Sequence, residues 1–208
     1  MKNAILLILV FFFAAACSSR INQQTEEQLT DEQFDSLRTV YYSLNDSLKH
    51  SWSIMLEDDN KKISNLQLLL EEIRKTENYS KDTLDSLAQM VQVLKDMRYD
   101  SVTVGNSDLI DQYDSTTTLV SDAIIEYTET IPDADLNPVI NVLVDQIVNA
   151  NNSVLLYRIR YDSFSEDFNR FLEKYKNVMS AIDSSGGQVY KRPMFRLVND
   201  FKEEEEEN

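Results

Sequence analysis

PVINVLVDQIVNANNSVLLYRIRYDSFSEDFNRFLEKYKNVMSAI, residues 138–182, is the stretch that decides the fold. Ile140, Leu143, Ile147, Ala150, Val154, Tyr157, Tyr161, Phe164, Phe168, Phe171, Tyr175, Val178 and Ile182 recur by threes and fours. That spacing places one apolar seam on one helix, with the look of a coiled-coil stripe. Asn137 followed by Pro138 marks its start, because an Asn side chain caps well and proline suits the first turn. Ser184-Ser185-Gly186-Gly187 marks its end. A helix of about 45 residues would be roughly 67 Å long.

Working towards the N-terminus, Phe34, Leu37, Tyr41, Leu44, Leu48, Trp52 and Met55 share a second long helical face. The face resumes at Ile63, Leu66, Leu70 and Ile73. Asp59 interrupts the seam inside the polar patch Glu57-Asp58-Asp59-Asn60-Lys61-Lys62, which reads either as local exposure or slight rotation of the helix, or as a polar notch used for binding. Two shorter helices fit between the long ones. One spans about Ser80 to Arg98 and faces inward with Leu84, Leu87, Val91 and Leu94. The other spans about Ser107 to Thr130 and faces inward with Leu109, Tyr113, Leu119, Ile124 and Tyr127. Gly105 lies in the connection between them, and Ile131-Pro132-Asp133 breaks the chain before the last helix. The expected fold is all-α, an antiparallel four-helix bundle with long first and last helices.

Composition narrows the function. The chain has 36 Asp and Glu against 20 Lys and Arg, a net charge of −16. Such a charge repels nucleic acid and anionic headgroups, so neither is an expected partner. Three Gly and three Pro in 208 residues speak against phosphate-cradling loops and against many-stranded sheets. The single cysteine, Cys17, excludes a disulfide framework.

The N-terminus reads as an address. Lys2 leads an apolar run, Ala4 to Ala16, too short for the roughly 20 residues that cross a bilayer. Ala14-Ala15-Ala16-Cys17 resembles the lipobox of a bacterial lipoprotein, and an ordinary signal peptide with a chance cysteine is the alternative. The resemblance implies cleavage of residues 1–16 and lipidation of Cys17, which leaves no free thiol. Only Lys2 among the charges would be lost, taking the net charge to −17. Several acyl chains together anchor stably where one does not. Residues 17–25 then read as a lipidated tether, 26–183 as the helical bundle and 184–208 as a C-terminal tail with the acidic end Glu203 to Glu207. Ser18 after the cysteine does not resemble an inner-membrane retention signal. In a Gram-negative host the expected location is the cell envelope, on the periplasmic face of the outer membrane.

An ordered set of short motifs runs over roughly residues 40–195. Its elements are Trp52-Ser53, Lys61-Lys62, Leu69-Leu70 with Glu71, Thr83-Leu84, and Tyr127 to Pro132. They continue with Asn152, Val154, Arg158, Arg160, Tyr161, Phe168 and Asn169, and close with Lys191-Arg192-Pro193-Met194-Phe195. In this order they resemble the LemA family of bacterial envelope proteins. The chain departs from the family pattern at three points. Gln67-Leu68 stands where the family has Pro-Asn, which removes the expected kink; Asp59 replaces a leucine, and Asn151 a glutamate. A lipidated Cys17 would also replace the family's usual transmembrane helix. The resemblance implies a four-helix bundle at a membrane and supplies no catalytic residues.

No catalytic set stands out. His50 is the lone histidine and reads as a surface or boundary residue. Asp133-Ala134-Asp135-Leu136-Asn137 opens like a calcium loop, but Pro138 replaces its glycine and Val144 its last glutamate, so a capped turn is the better reading. No metal ligand, cofactor or acid/base pair is assigned. The aromatic row Tyr157, Tyr161, Phe164, Phe168, Phe171 and Tyr175 reads as core packing, or as a groove for a partner helix or an amphipathic small molecule or lipid. Asp followed by Ser or Thr and an aliphatic residue recurs at Ser36, Ser47, Thr83, Ser86 and Ser101. The triplet resembles an O-glycosylation acceptor of some Gram-negative bacteria and equally suits helix capping. The leading expectation is a non-catalytic envelope lipoprotein that acts as a helical scaffold or protein-interaction module. Its partner would be another envelope protein, and self-association to a homo-oligomer stays open.

Overall fold

The computed structural model describes residues 29–132, 137–183 and 188–195. The chain divides into two compact units, residues 1–35 and 36–208. Of the first, the described part is the start of helix α1 (Asp31–Ile73). There Thr30 and Gln33 form a reciprocal capping box: the Thr30 N–H donates to Gln33 Oε1 at 2.7 Å and the Gln33 N–H donates to Thr30 Oγ1 at 3.3 Å.

In the second unit α1 continues to Ile73 without a break at Gln67-Leu68. It is followed by α2 (Lys81–Asp96), a 3-10 turn (Thr103–Gly105), α3 (Ser107–Glu129), α4 (Pro138–Lys174) and the single turn α5 (Met179–Ile182). The fold is an all-α helical bundle with no strand among the described residues. Caps set the boundaries. Ser80 Oγ accepts from the Thr83 N–H, Asn106 Oδ1 from the Leu109 N–H, and Asn137 Oδ1 from the Val139 N–H ahead of α4. Cross-contacts fix an up-down-up-down order. Arg74 pairs with Asp85 and Tyr127 meets Ser80 at one end, while Asp59 meets Arg98 and Tyr113 at the other. Asn65 bonds Gln146, and Tyr41, earlier on α1, packs on Phe168 and Phe171, later on α4, so α4 runs antiparallel to α1.

The expected long helix over residues 138–182 is broken between Lys174 and Met179, so it forms α4 and α5 rather than one rod. The α3 face also differs from expectation. Ile110, Tyr113, Thr117, Val120, Ser121, Ile124 and Thr128 are the buried residues, and Leu119 is 60% exposed. A 3.6-residue period counted from Tyr113 passes through 117, 120 and 124 and leaves 119 on the flank. Leu84, Leu87, Val91 and Leu94 are buried on α2 as the spacing requires.

Helix lengths explain where the layers lie. At 1.5 Å per residue α1 and α4 are roughly 64 and 56 Å long, but α2 and α3 only about 24 and 35 Å. The four-helix core gathers Leu66, Leu69, Ile73, Leu94, Ile124, Ile140 and Ile147. Past the level of Asp59 the middle pair ends, and the part of α1 from residue 36 to 58 faces the C-terminal half of α4. A third layer there comes from residues 188–195, which run back along α4 as an extended strap. The expected tail over 184–208 is therefore part of the bundle at 188–195. No helix of the described residues is long and apolar enough to cross a membrane. Cys17, the apolar leader, the tether and the acidic end lie outside the described residues, as do Asp133 to Leu136.

Candidate functional site

Two joined polar clusters occupy the level where four helices become two. The first forms around Asp59. Its Oδ2 accepts the Tyr113 hydroxyl at 2.6 Å and an Arg98 N–H at 3.2 Å, and Lys62 Nζ stands 3.6 Å from Oδ1. Arg98 also donates to Asn60 Oδ1 at 2.5 Å. The Asp59 side chain is 14% exposed and that of Lys62 only 4%. Asp59 is thus neither a surface interruption nor an open notch but the centre of a part-buried ion cluster. Burial, and then the neighbouring Asp59 charge and hydrogen bond, push the Tyr113 phenol far above its usual range.

The second cluster lies under the strap. Arg158 forks onto Asp114 with bonds of 2.5 and 2.6 Å. The same guanidinium lies 4.8 Å from the centre of the Phe195 ring. Phe195 stands edge-on to Tyr99 and Tyr161, with centroids 5.7 and 5.8 Å away, and Trp52 meets Tyr161 at 5.2 Å. Tyr99 meets Tyr113 edge-on at 5.2 Å, so the two clusters share one aromatic wall. The strap is read along its backbone. Asn169 accepts the Arg192 N–H at 2.6 Å and returns a bond to the Arg192 carbonyl at 2.8 Å. Asp162 Oδ1 accepts the Phe195 N–H at 2.9 Å. Lys191 pairs with Glu173, and the Arg192 guanidinium covers Phe168 at 5.4 Å. A Cβ on Gly105 would stand 3.2 Å from the Pro193 ring, so glycine lets the strap approach this closely.

Asp162 is almost fully buried, at 1% exposure. Its Oδ2 and the Arg158 Nε, one turn apart on α4, have no hydrogen-bond partner. Burial lifts the Asp162 carboxyl to about 6, against the pull of the Phe195 N–H and of the Arg158 charge. It can therefore exchange a proton near neutrality.

The aromatic row singled out in the sequence is not an open groove. Tyr161, Phe168 and Phe171 are buried, with Phe168 and Phe171 against Tyr41 and with Tyr161 and Phe168 under the strap. Tyr157, Phe164 and Tyr175 are half-buried. Residues 188–195 and α1 cover the buried rings. His50 is exposed on α1. Of the Asp-Ser/Thr triplets, Ser36 on α1, Thr83 and Ser86 on α2, and Ser101 before the 3-10 turn are exposed, while Ser47 on α1 is half-buried. Thr83 donates its hydroxyl to Ser80 Oγ, and Asp100 accepts the Val102 and Thr103 N–H groups, which are capping roles.

Sequence spacing missed a different surface. Val148, Leu155 and Ile159 are 41, 51 and 50% exposed, and steps of seven and four align them on one side of α4. Leu156, 67% exposed, lies beside them. Their own spacing carried the signal, but the stronger aromatic seam on the adjoining side dominates the pattern. Searches of protein-family models, curated proteins and solved structures found no match to this chain.

Proposed function

We propose that this chain is a non-catalytic, lipid-anchored envelope protein of LemA type, a helical scaffold that docks another envelope protein along α4. The anchor rests on the lipobox resemblance at Cys17, and the family reading on the ordered motifs from Trp52 to Phe195. The observation that carries the docking reading is the exposed line Val148, Leu155 and Ile159, with Leu156 beside it. The line extends about 16 Å along the helix axis. Single exposed apolar side chains occur elsewhere on this chain, but these four are grouped on one side of one helix, and grouping is what marks a contact surface. A helix from the partner fits it best, because the residues repeat at helical spacing.

Photo-crosslinking in intact cells tests the reading, with probes at positions 155 and 159 and control probes at Lys49 of α1 and Gln92 of α2, both exposed on other helices. Reproducible crosslinks to one envelope protein from 155 and 159, absent from the controls, are expected. Crosslinks solely between copies of this chain would replace the partner with a homo-oligomer. An absence of protein crosslinks from all four sites would refute docking through α4.

A further inference from the structure

Asp162 is a costly residue to place where it is. A buried carboxylate is tolerated when its oxygens are satisfied, and this one has a single hydrogen bond, from the strap's Phe195 N–H. Its other oxygen is buried and unpartnered. Arg158, one turn away, is the cation placed to answer it, but its two terminal nitrogens are committed to Asp114. The remaining charged groups belong to the surrounding elements. Arg192 is on the strap over Phe168, Lys191 is paired with Glu173, Lys49 of α1 lines the cleft beside Arg192, and Asp114 of α3 is held by Arg158. The nearby phenols are Tyr161 on α4 and Tyr99 between α2 and α3. Of these groups Arg158 is the one whose charge acts on the Asp162 carboxyl.

We infer that residues 188–195 form a proton-controlled latch, which seats fully when Asp162 is protonated and loosens when Asp162 ionises, uncovering Tyr161 and Phe168 between α1 and α4. The strap itself creates the conditions. Phe195 closes over the carboxyl and excludes water, so docking is what makes the charge expensive. A protonated carboxyl keeps its carbonyl oxygen as acceptor for the Phe195 N–H and carries no charge into the cage. The inference concerns the chain's own segment and stands apart from docking along α4.

The sign follows from linkage. The carboxyl of the docked state lies at about 6, above its ordinary value of 3.8. The proton therefore favours docking, which is strongest below the ordinary value and weakens as pH rises through about 6. With those two values the docked-to-undocked ratio falls about tenfold between about pH 5 and about pH 8.

Hydrogen exchange on the full chain in mild detergent reads this directly, as protection factors for the Arg192 and Phe195 amides, which divide out the intrinsic pH dependence of exchange. The expected result is a tenfold loss of protection from pH 5 to pH 8 in the native chain. Asp162→Asn keeps the acceptor without the charge and should stay protected at both values. A native strap whose protection does not change with pH would overturn the latch. So would an equal loss in Asp162→Asn, which would assign the effect to another group such as Asp183. The Asp162 carboxyl carbon shift of the native chain provides a check that needs no variant. Its midpoint must lie well above the ordinary carboxylate value, near the pH at which the decline in protection levels off, and a midpoint at the ordinary value would also overturn the inference.

Discussion

Replacing Asp59 by leucine, the kind of residue that the apolar seam on either side of it carries, should destabilise the fold by about 3 kcal/mol. The magnitude comes from what the carboxylate holds. Tyr113, 2% exposed, donates its hydroxyl to Asp59 at 2.6 Å, and an unpaired buried hydroxyl costs about 1–3 kcal/mol. Lys62 would lose one counter-charge while its side chain is only 4% exposed; the charge of Asp58 still acts on it, so the loss lies at the low end of the about 3–5 kcal/mol that breaking a buried pair costs. Arg98 adds little, because its side chain is a third exposed and water can take over. Burying leucine returns about 1.5 kcal/mol, which leaves a net cost near 3 kcal/mol. Asp59→Asn keeps an acceptor for Tyr113 and should cost about 1 kcal/mol. The assay is urea unfolding followed by far-ultraviolet circular dichroism, with midpoints compared at constant slope. A combined Asp59→Leu, Tyr113→Phe and Lys62→Met variant removes the stranded groups together and should recover about 2 kcal/mol. The reasoning is refuted if Asp59→Leu lies within about 1 kcal/mol of the native chain, or if the combined variant is no more stable than Asp59→Leu alone.

Three further outcomes follow from the same geometry. Burial raises the phenols of Tyr41, Tyr99, Tyr113 and Tyr161, so each contributes stability that is present below the usual value of 10.0 and is lost as pH rises above it; alkaline unfolding should begin above that value and start later in Tyr113→Phe, as unfolding-versus-pH curves will tell. Truncation after Asp183 removes the strap from Tyr161 and Phe168, and should raise binding of an apolar dye several-fold while helix content stays nearly constant. Leu156→Glu with Ile159→Glu should change unfolding free energy by less than about 0.5 kcal/mol and abolish crosslinks from a probe at position 155.

The periodic residues made the helices legible, and the Asn137 cap read from the sequence starts α4 where the structure has it, while the caps at Ser80 and Asn106 emerge from the structure. The α3 face was harder to read, because Thr117, Ser121 and Thr128 are buried there and a hydrophobicity pattern passes over them in favour of Leu119. Thr117 and Thr128 satisfy their hydroxyls on the backbone carbonyls of Tyr113 and Ile125, so a helix can bury them cheaply. Asp59 was visible as an anomaly on its seam, but its meaning depends on Arg98 and Tyr113, which lie 39 and 54 residues further along the chain. Pairings at such separation leave no local trace. The strap was hidden for the same reason. Lys191-Arg192-Pro193-Met194-Phe195 has no helical period, and its partners Asn169 and Asp162 look like ordinary polar residues until a backbone is laid beside them.

The mismatch in helix length accounts for where the polar residues gather. Along the four-helix end, α4 buries Ile140, Leu143, Ile147 and Ala150, and α1 buries Leu66, Leu70 and Ile73; aliphatic side chains suffice because helices close every side. Beyond the ends of α2 and α3, two helices alone leave a seam of Tyr161, Phe168 and Phe171 open on one side. An extended segment can cover it, but a strand without a sheet brings backbone N–H and C=O groups that must find partners. Side chains on α4 supply them: Asn169 for both groups of Arg192, and Asp162 for Phe195. Polar residues on the buried side of α4 are therefore the condition for using a strap as the missing layer. Asn169→Leu would test this, since leucine fits the apolar seam better yet strands two backbone groups of Arg192. It should release the strap without lowering helix content, read as loss of protection at the Arg192 amide. A strap that stays protected over leucine would mean that Phe195 and Pro193 hold it by packing alone.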